Sequence, residues 1–456
     1  MGNKIHEIIG AGLIYILIGA GCGGGNQPSD LRAWWQKPGL GIQYQIEYRP
    51  GMDWDRDYTL FNQSMMDPQG RLNFNGPFPQ IDEWVKTSQR VGVDYHTMEI
   101  KWHDGICYFN TELTDWKTET DYAGRFAELS READIPFMFY YSAIFDHNPQ
   151  FDSIQPDPHQ TFSVILETPQ PQYEEYLRGQ YREIMEQYYP DGMWIDWWWA
   201  DGSTLLTLDF FKTYYPGVVL TFNGSNYVPA SSDQVYYTSG EAHGLEGPAI
   251  KTVDLGSRTM TVFESAWYWA NSNRRLFDHP WELVGPAGKW WQDPSARDDL
   301  NELVRMVAVV LACGGKYVVG ATSQMDGSIY PNQVKQLEML GDWYVPRKKL
   351  FLGSAAVKYG GDCPPGAGVD RDRFNIIAGR LESDTLIHII NMEGQTGSLI
   401  LELERDSWAG INHVYLEPAH RKLKVDDSGS TIKINLSPED VDPVDTIIRI
   451  KDFSIS

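Results

Sequence analysis

From about residue 38 to residue 345, short apolar runs alternate with amphipathic stretches. The runs GVDYHTMEIKW, PFMFYYSAI and GVVLTFNG have the composition of buried strands. Between the first two, DYAGRFAELSREADI places Tyr122, Phe126 and Leu129 on one helical face. Regular alternation of strand and helix predicts a parallel sheet, and at this length a (β/α)8-type barrel is the leading architecture. An open doubly wound sheet is the alternative.

The same reading continues along the rest of this region. After the amphipathic helix PQYEEYLRGQYREIMEQYY, the pattern predicts the strand GMWIDWWW and a further amphipathic stretch, LLTLDFFKTYY. It then predicts a strand in RTMTVFESAW, a long helix in RDDLNELVRMVAVVLACG and a strand in KYVVGA. The Gly-flanked segment YYTSGEAHGLEG is expected to form a loop.

Past residue 350 the period of the pattern changes. Short alternating runs are separated by turns rich in Gly, Asp and Ser, which is typical of an antiparallel sheet. The runs are RFNIIAGRL, TLIHIINM, GSLILELE, HVYLEP, STIKINL and DTIIRIKDF. We therefore expect residues 350–456 to form a small β-sandwich after the barrel.

Residues 1–22 have the pattern of an export signal. A polar start with one lysine, MGNKIHE, precedes IIGAGLIYILIGAG, an apolar run too short to span a bilayer, and then Cys22. The segment resembles a bacterial lipoprotein signal, which implies lipid attachment at Cys22 and a periplasmic or cell-surface location. Gly19 stands where such signals usually have Leu, so plain secretion or an uncleaved anchor remains open.

Composition narrows the function classes. The 456 residues contain 38 Lys and Arg against 62 Asp and Glu, a net charge of -24, which would repel nucleic acid and anionic lipid surfaces. The 17 Trp and 25 Tyr suit stacking on the apolar faces of sugar rings. Cys107, Cys313 and Cys363 have neither disulfide nor metal-site spacing, and no cofactor or metal is predicted. A glycan is the expected partner.

Asp196 is the first candidate for chemistry, since DGMWIDWWW surrounds it with four tryptophans. A buried strand whose Asp caps a neighbouring helix is the structural alternative. In a barrel, however, reactive side chains lie at the C-terminal ends of strands, where those of several strands meet. Polar residues also follow the other predicted strands or lie in the YYTSGE loop: His103, Tyr140, Tyr141, Asn223, Glu241 and Glu264. Two carboxylates across an aromatic cleft are what cleavage of a glycosidic bond requires.

These residues carry a resemblance to a known family. The segment VGVDYHTMEIKWHDGICYFNTELTDWKT resembles the Lys-His-His-Asp/Glu-Gly-Phe strand end and Thr-Asp-Trp turn of glycoside hydrolase family 29, the α-L-fucosidases. DGMWIDWWW is similar to the family's nucleophile strand, and CGGKYVVGATSQMDGSI to its Gly-Gly strand and Asp-Gly-x-Ile turn. The similarity runs from about Gly39 to Phe453. It implies a retaining, exo-acting glycosidase on a barrel with a C-terminal sandwich.

The resemblance also implies roles. Asp196 matches the nucleophile that forms the covalent glycosyl-enzyme. The acid/base is either Glu241, which is 241 − 196 = 45 residues downstream in a Thr-x-Glu context, or Glu264, which resembles a Trp-Glu position. Glu241 is favoured because its Gly-flanked loop would reach over the sugar, and Glu246 is a weaker third candidate.

Three departures from the family pattern affect the pocket. Gln45, Trp102 and Ser225 stand where the family has residues with a cationic or protonatable side chain. We expect the following substrate-binding residues, of which only one of the two adjacent tyrosines can face the site: Gln45, Trp102, His103, Tyr140, Tyr141, Trp198, Asn223 and Trp267. Three functions stay open: an α-L-fucosidase, a glycosidase of the same fold with another sugar, and a carbohydrate-binding lipoprotein that has lost turnover.

Overall fold

A computed structural model describes most of the chain. The described residues are 31–46, 65–143, 146–151, 171–196, 209–223, 238–241, 252–254, 259–261, 280–288, 291, 300–356, 367–370, 373–391, 394, 397–411 and 413–453. The part before Ser354 contains a parallel sheet and its helices, and the part from Ser354 onward is antiparallel.

Eight parallel strands form the first sheet, and a short antiparallel hairpin, β7 with β8, stands apart from it. In chain order the strands are β1 (Gly39–Gln45), β2 (Tyr95–Lys101), β3 (Phe137–Ser142), β4 (Gly192–Asp196), β5 (Val219–Phe222), β6 (Thr238–Glu241), β7 (Thr252–Asp254), β8 (Thr259–Thr261), β9 (Trp281–Pro286) and β10 (Lys316–Thr322). The eight pair in the order β5-β4-β3-β2-β1-β10-β9-β6, and the edge strands β5 and β6 contact each other. The sheet therefore closes into the predicted (β/α)8-type barrel.

Helices cover the outside of the barrel. Their bounds are α1 (Ile81–Val91), α2 (Tyr122–Glu132), α3 (Pro171–Tyr188), α4 (Leu300–Ala312), α5 (Pro331–Tyr344) and α6 (Lys348–Leu352), with 3-10 helices at Leu31–Gln36 and Pro438–Asp440. α1 shows why these segments are helical: Ile81, Trp84, Val85 and Val91 form one buried face, and the positive φ of Gly92 ends the helix. In the described part of the chain, no helix is long and apolar enough to cross a membrane.

Two barrel strands differ from the sequence-based expectation. β6 covers the segment expected to be a loop, so Glu241 ends a strand. Of the strand expected in RTMTVFESAW, the described residues are those of β8, which pairs antiparallel with β7 in a separate two-stranded sheet. β9, with the sequence WELVGP, occupies the barrel position between β6 and β10 instead. A search for apolar runs misses β9 because the strand contains the buried Glu282 and ends in Pro.

The C-terminal strands form two antiparallel sheets. Their bounds are β11 (Ser354–Ala356), β12 (Ala367–Gly368), β13 (Phe374–Leu381), β14 (Asp384–Asn391), β15 (Leu399–Glu404), β16 (Val414–Glu417), β17 (Arg421–Lys422), β18 (Val425–Asp426), β19 (Thr431–Leu436) and β20 (Asp445–Ile450). One sheet has the order β11-β13-β14-β20-β16-β17 and the other β12-β15-β19-β18. The six predicted runs thus all contain strands, and the predicted sandwich is confirmed.

The sandwich is joined to the barrel through its six-stranded sheet. β14 is buried along its whole length because its two faces have different neighbours. Ile387 and Ile389 lie in the sandwich core, while Leu386 and Ile390 belong to the core of the barrel. α4 packs against β13 and β14, which accounts for its apolar sequence.

Candidate active site

Asp196 lies at the C-terminal end of β4, inside the barrel and 6% exposed. Tyr140 of β3 donates its hydroxyl hydrogen to Oδ2 of Asp196. Asn223, directly after β5, donates from Nδ2 to Oδ1 over 2.8 Å. Since the backbone N–H of Asn223 continues the ladder to the carbonyl of Ile195, the parallel pairing itself places this amide beside the carboxylate. Both oxygens of Asp196 are thus held by neutral donors from its two neighbouring strands.

His103 forms the next side of the site. Its Nε2 lies 3.9 Å from Oδ2 of Asp196, which is longer than a hydrogen bond, and its Nδ1 is 2.7 Å from the hydroxyl of Ser142. Burial lowers the pKa of His103 well below its usual 6.5, so the ring is neutral at pH 7. Trp102 stacks on this ring with centroids 5.0 Å apart. The two side chains make a flat wall beside the carboxylate.

The turn after β2 fixes that wall. Gly105 has a φ of 75°, and a β-carbon there would lie 2.2 Å from Oδ1 of Asp146, so only glycine fits. Trp116, from the Thr-Asp-Trp turn, donates its indole N–H to the carbonyl of Asp104 over 3.1 Å. These contacts link the two motifs of the fucosidase-like segment and hold His103 in place.

Tyr141 lies outside the site, so its expected role in substrate binding is corrected. The alternation of β3 directs Tyr140 into the barrel and Tyr141 toward α3. Tyr141 donates to Oε1 of Gln180 over 2.5 Å and accepts a hydrogen bond from Lys101 over 2.8 Å. Lys101 reaches it because the register between β2 and β3 shifts between Glu99 and Lys101, and this bulge turns the lysine outward.

Among the described residues, Gln45, Gly320 and Trp291 lie together on the wall opposite Asp196. In the barrel order, β10 is four strands away from β4 and therefore faces it across the interior. A β-carbon at Gly320 would lie 2.6 Å from the Trp291 ring and 3.1 Å from Oε1 of Gln45. Glycine thus lets the indole and the amide approach the barrel wall. Sequence reasoning found Gln45 but missed Trp291, whose signal was the tandem tryptophan shortly after β9.

A buried carboxylate beneath the site was also missed. Glu282 of β9 is 1% exposed and accepts hydrogen bonds from Tyr95, Trp194 and Ser239. Lys316 is its Cα partner on β10, and burial lowers the pKa of that lysine to about 7. In the described residues, no cluster of three or more His, Cys, Asp or Glu suits a metal ion.

The model of the family described as alpha-L-fucosidase matches residues 47–347 of this chain. The chain belongs to the α-L-fucosidase family. An α-L-fucosidase of Dictyostelium discoideum is 20% identical over 290 residues, which are 60% of this chain and 56% of the relative. The alignment thus spans little more than half of that relative's length.

Solved structures of fucosidases share the fold. α-L-fucosidase isoenzyme 1 of Paenibacillus thiaminolyticus superposes with a TM-score of 0.64 at 17% identity, covering 93% of this chain and 99% of the other. The Thermotoga maritima α-fucosidase bound to a mechanism-based inhibitor gives a TM-score of 0.63 at 18% identity, with the same coverage. A family 29 α-L-fucosidase of Bacteroides thetaiotaomicron, trapped as a covalent intermediate, gives 0.63 at 16% identity and covers 96% of this chain and 99% of its own.

Not all of the expected fucosidase site falls on described residues. Asp196, Tyr140, Asn223 and His103 are brought together, with Trp102 stacked on His103. Glu241 is described by its backbone position only, as the last residue of β6 in register with Val284. Outside the described residues lie Cys22, Trp198, Ser225, Glu246, Glu264 and Trp267.

Proposed function

We propose that this protein is a retaining, exo-acting glycoside hydrolase of the α-L-fucosidase type, with Asp196 as its nucleophile. The observation that carries the proposal is the seating of Asp196 at the C-terminal end of β4, where Tyr140 and Asn223 each donate to one carboxylate oxygen. Strand ends of this kind are where barrels place reactive groups. Membership of the α-L-fucosidase family supports fucose or a related sugar as the substrate.

The surroundings of Asp196 suit nucleophilic attack. Hydrogen bonds from a phenol and an amide favour the ionised carboxylate without adding a counter-charge that would block it. An oxygen of Asp196 would bond to the anomeric carbon while the glycosidic bond breaks, and the leaving oxygen would take a proton from the acid/base residue. Water would then cleave the glycosyl ester, giving its proton to the same residue and restoring Asp196.

Glu241 is our proposed acid/base, with Glu264 as the alternative. β6 contacts β5, which pairs with β4, so the backbone at Glu241 lies two strands away from Asp196 at the same end of the barrel. Two strand spacings amount to roughly 10 Å. Retaining enzymes need about 5–5.5 Å between their carboxyl groups, a distance that side chains from strands this far apart can reach.

The other residues of the pocket would determine which sugar the protein accepts. Neutral His103, with Nε2 3.9 Å from Asp196, leaves room for a substrate hydroxyl to bond to both. Gln45 and Trp102 replace protonatable residues of the family pattern and give the pocket fewer charged contacts with hydroxyls. We therefore propose weak activity on simple aryl fucosides and better activity on a larger fucose-containing or related glycan.

The experiment is a release assay on 4-nitrophenyl α-L-fucoside, on a panel of other aryl glycosides and on fucosylated oligosaccharides, with Asp196→Asn as the control. We expect release of fucose or a related sugar from an oligosaccharide, faster than from the aryl fucoside, and none from the variant. Binding of these glycans without any release would instead support a carbohydrate-binding protein. A simple fucoside cleaved as fast as any extended glycan would refute the proposed specificity.

The acid/base assignment has its own test. With Glu241→Ala, an aryl leaving group of low pKa should react far better than a sugar leaving group, because it needs no proton. General acid catalysis contributes about 10²–10⁴-fold, so the natural substrate should lose that much rate. If Glu264→Ala shows this selectivity and Glu241→Ala does not, the assignment is reversed.

We further propose that the chain is exported and lipidated at Cys22. Support comes from the polar start, the apolar run and the Gly-rich sequence after Cys22. Expression in a bacterium with radiolabelled palmitate should label the wild type and leave Cys22→Ser unlabelled. Release of an unlabelled wild-type protein into the medium would indicate plain secretion.

A further inference from the structure

Glu282 connects three strands beneath the site. It is the second residue of β9, level with Ser239 of β6 by register, and 1% exposed. Its Oε1 accepts from the hydroxyl of Ser239 over 2.6 Å and from the indole N–H of Trp194 over 3.0 Å, and its Oε2 accepts from the hydroxyl of Tyr95. Three donors from three different strands thus meet on the two oxygens of one side chain, which fixes their positions relative to one another.

The orientation of Trp194 depends on that carboxylate. Its indole has one donor, Nε1, which lies within hydrogen-bond distance of Glu282 and of the Ser239 hydroxyl 3.1 Å away, and this hydroxyl itself donates to Glu282. The second side-chain torsion of tryptophan has a broad energy profile, so the torsion itself selects the ring plane weakly and contacts with neighbours must fix it. Removing the carboxylate therefore affects both partners of the indole.

Trp194 in turn supports the nucleophile. Its ring stacks on Tyr140 with centroids 5.3 Å apart and planes inclined by 17°, and Tyr140 donates its hydroxyl to Asp196. Trp194 and Asp196 are also two residues apart on β4 and share its inner face. A chain of direct contacts thus runs from Glu282 through Trp194 and Tyr140 to Asp196.

We propose that Glu282 is a positioning residue of this site, which fixes Trp194 and Tyr140 so that the Tyr140 hydroxyl stays on the Asp196 carboxylate. The proposal rests on the proposed role of Asp196 as nucleophile. Catalytic groups lose large factors in rate when the side chains that orient them move by about 1 Å. Glu282 would act in this way without touching the substrate.

The test compares Glu282→Gln with Asp445→Asn in the full chain. Asp445 is likewise a 1% exposed carboxylate, but it bonds to His388 between sandwich and barrel, 2.8 Å from its Nδ1. Both variants should lower the melting temperature. With 4-nitrophenyl α-L-fucoside or the best aryl glycoside of the panel, Glu282→Gln should lower kcat by roughly tenfold to a hundredfold, and Asp445→Asn should leave it within twofold.

The pH profile separates positioning from a general loss of stability. Tyr140, Asn223 and His103 face Asp196, and because a hydrogen bond to the charged form favours it, a looser Tyr140 bond should move the acidic limb of kcat/KM in Glu282→Gln to higher pH. A folded fraction that is smaller by the same factor at every pH of the profile, as circular dichroism can verify, would not move that limb. An unchanged limb together with kcat within twofold of wild type would overturn the proposal.

Two further variants keep the test decisive. If Glu282→Gln does not fold, Ser239→Ala removes one acceptor of the indole and should show the same shift with a loss of kcat of roughly threefold to tenfold; an unchanged profile would overturn the proposal. Asp196→Asn is measured alongside. If it is inactive while Glu282→Gln behaves as wild type, only the positioning role fails, whereas an active Asp196→Asn refutes the proposed function itself.

Discussion

Asp146 and Asp196 are both buried carboxylates that follow or end neighbouring barrel strands, but they lie on opposite sides of the barrel wall. Asp146 forms an ion pair with Lys101 between the strands and α3, and both side chains are fully buried. Asp196 faces the interior, where Tyr140, Asn223 and neutral His103 approach it. The comparison separates a charge used to hold the fold from a charge left available to a substrate.

The physical difference lies in the partner. A buried lysine compensates the charge of Asp146 and makes it a poor nucleophile, and breaking such a pair leaves the other charge unpaired. Neutral donors stabilise Asp196 through hydrogen bonds and leave no counter-charge on the carboxylate, so a sugar can approach it. Substitution of Asp196 should therefore lower the catalytic rate, whereas breaking the Lys101–Asp146 pair should lower the stability of the fold.

The largest expected effect is on chemistry at Asp196. Asp196→Gly should lower kcat by on the order of a thousandfold or more, at least ~4 kcal/mol of barrier lowering, because the proposed covalent step is lost. Thermal unfolding should change little. Added azide should restore part of the activity by occupying the space of the missing carboxylate. Turnover within tenfold of wild type would remove Asp196 from the mechanism.

The next effect is on stability at Lys101. Lys101→Met leaves the Asp146 charge buried and uncompensated, so the free energy of unfolding should fall by about 3–5 kcal/mol in urea denaturation. Arg90→Met breaks the exposed ion pair with Glu338 and should cost less than about 1 kcal/mol. Equal losses in the two variants would contradict the structural role given to the Lys101 pair.

Two adjacent tyrosines give a sharper version of the comparison. Tyr140→Phe removes a hydrogen bond to an ionised group, about 1.5–3 kcal/mol, so kcat should fall roughly tenfold to a hundredfold with little change in melting temperature. Tyr141→Phe removes bonds to Lys101 and Gln180 and should lower the melting temperature with kcat within twofold. Steady-state kinetics and calorimetry on both variants test these two predictions. A loss of kcat in Tyr141→Phe and a loss of melting temperature in Tyr140→Phe would contradict the roles given to the two side chains.

The smallest expected effect concerns specificity at Trp102. Trp102→His restores the residue of the family pattern beside His103, and one hydroxyl contact of about 1 kcal/mol should raise kcat/KM on 4-nitrophenyl α-L-fucoside about fivefold. Activity on an extended glycan should stay within twofold. No gain on the fucoside would mean that Trp102 is not what limits its use.

The pattern of apolar and polar residues predicts much of this site but misses some of its features. The apolar runs predicted β2, β3 and β4 and thereby placed Asp196 at a strand end, and alternation required one of Tyr140 and Tyr141 to face outward. The bulge after Glu99, which turns Lys101 out of the barrel, could not be predicted from the alternation of apolar and polar residues.

Two strands were hidden for a related reason. β6, with the sequence TSGE, is short and polar, and β9 carries buried Glu282, because the interior of this barrel accommodates hydrogen-bonded polar groups. Apolar periodicity cannot detect strands whose inner face is polar. The carboxylate under Trp194 and the position of Glu241 on a strand were accordingly visible only in three dimensions.

The central claim is that Asp196 becomes covalently bonded to the sugar. The most direct measurement is incubation with 2-fluoro-fucosyl fluoride, followed by proteolysis and mass spectrometry of the labelled peptide. We expect time-dependent inactivation and one fluorofucosyl group on the peptide that contains Asp196, with no label on Asp196→Asn. A label on another residue, or inactivation that proceeds equally in Asp196→Asn, would contradict the account.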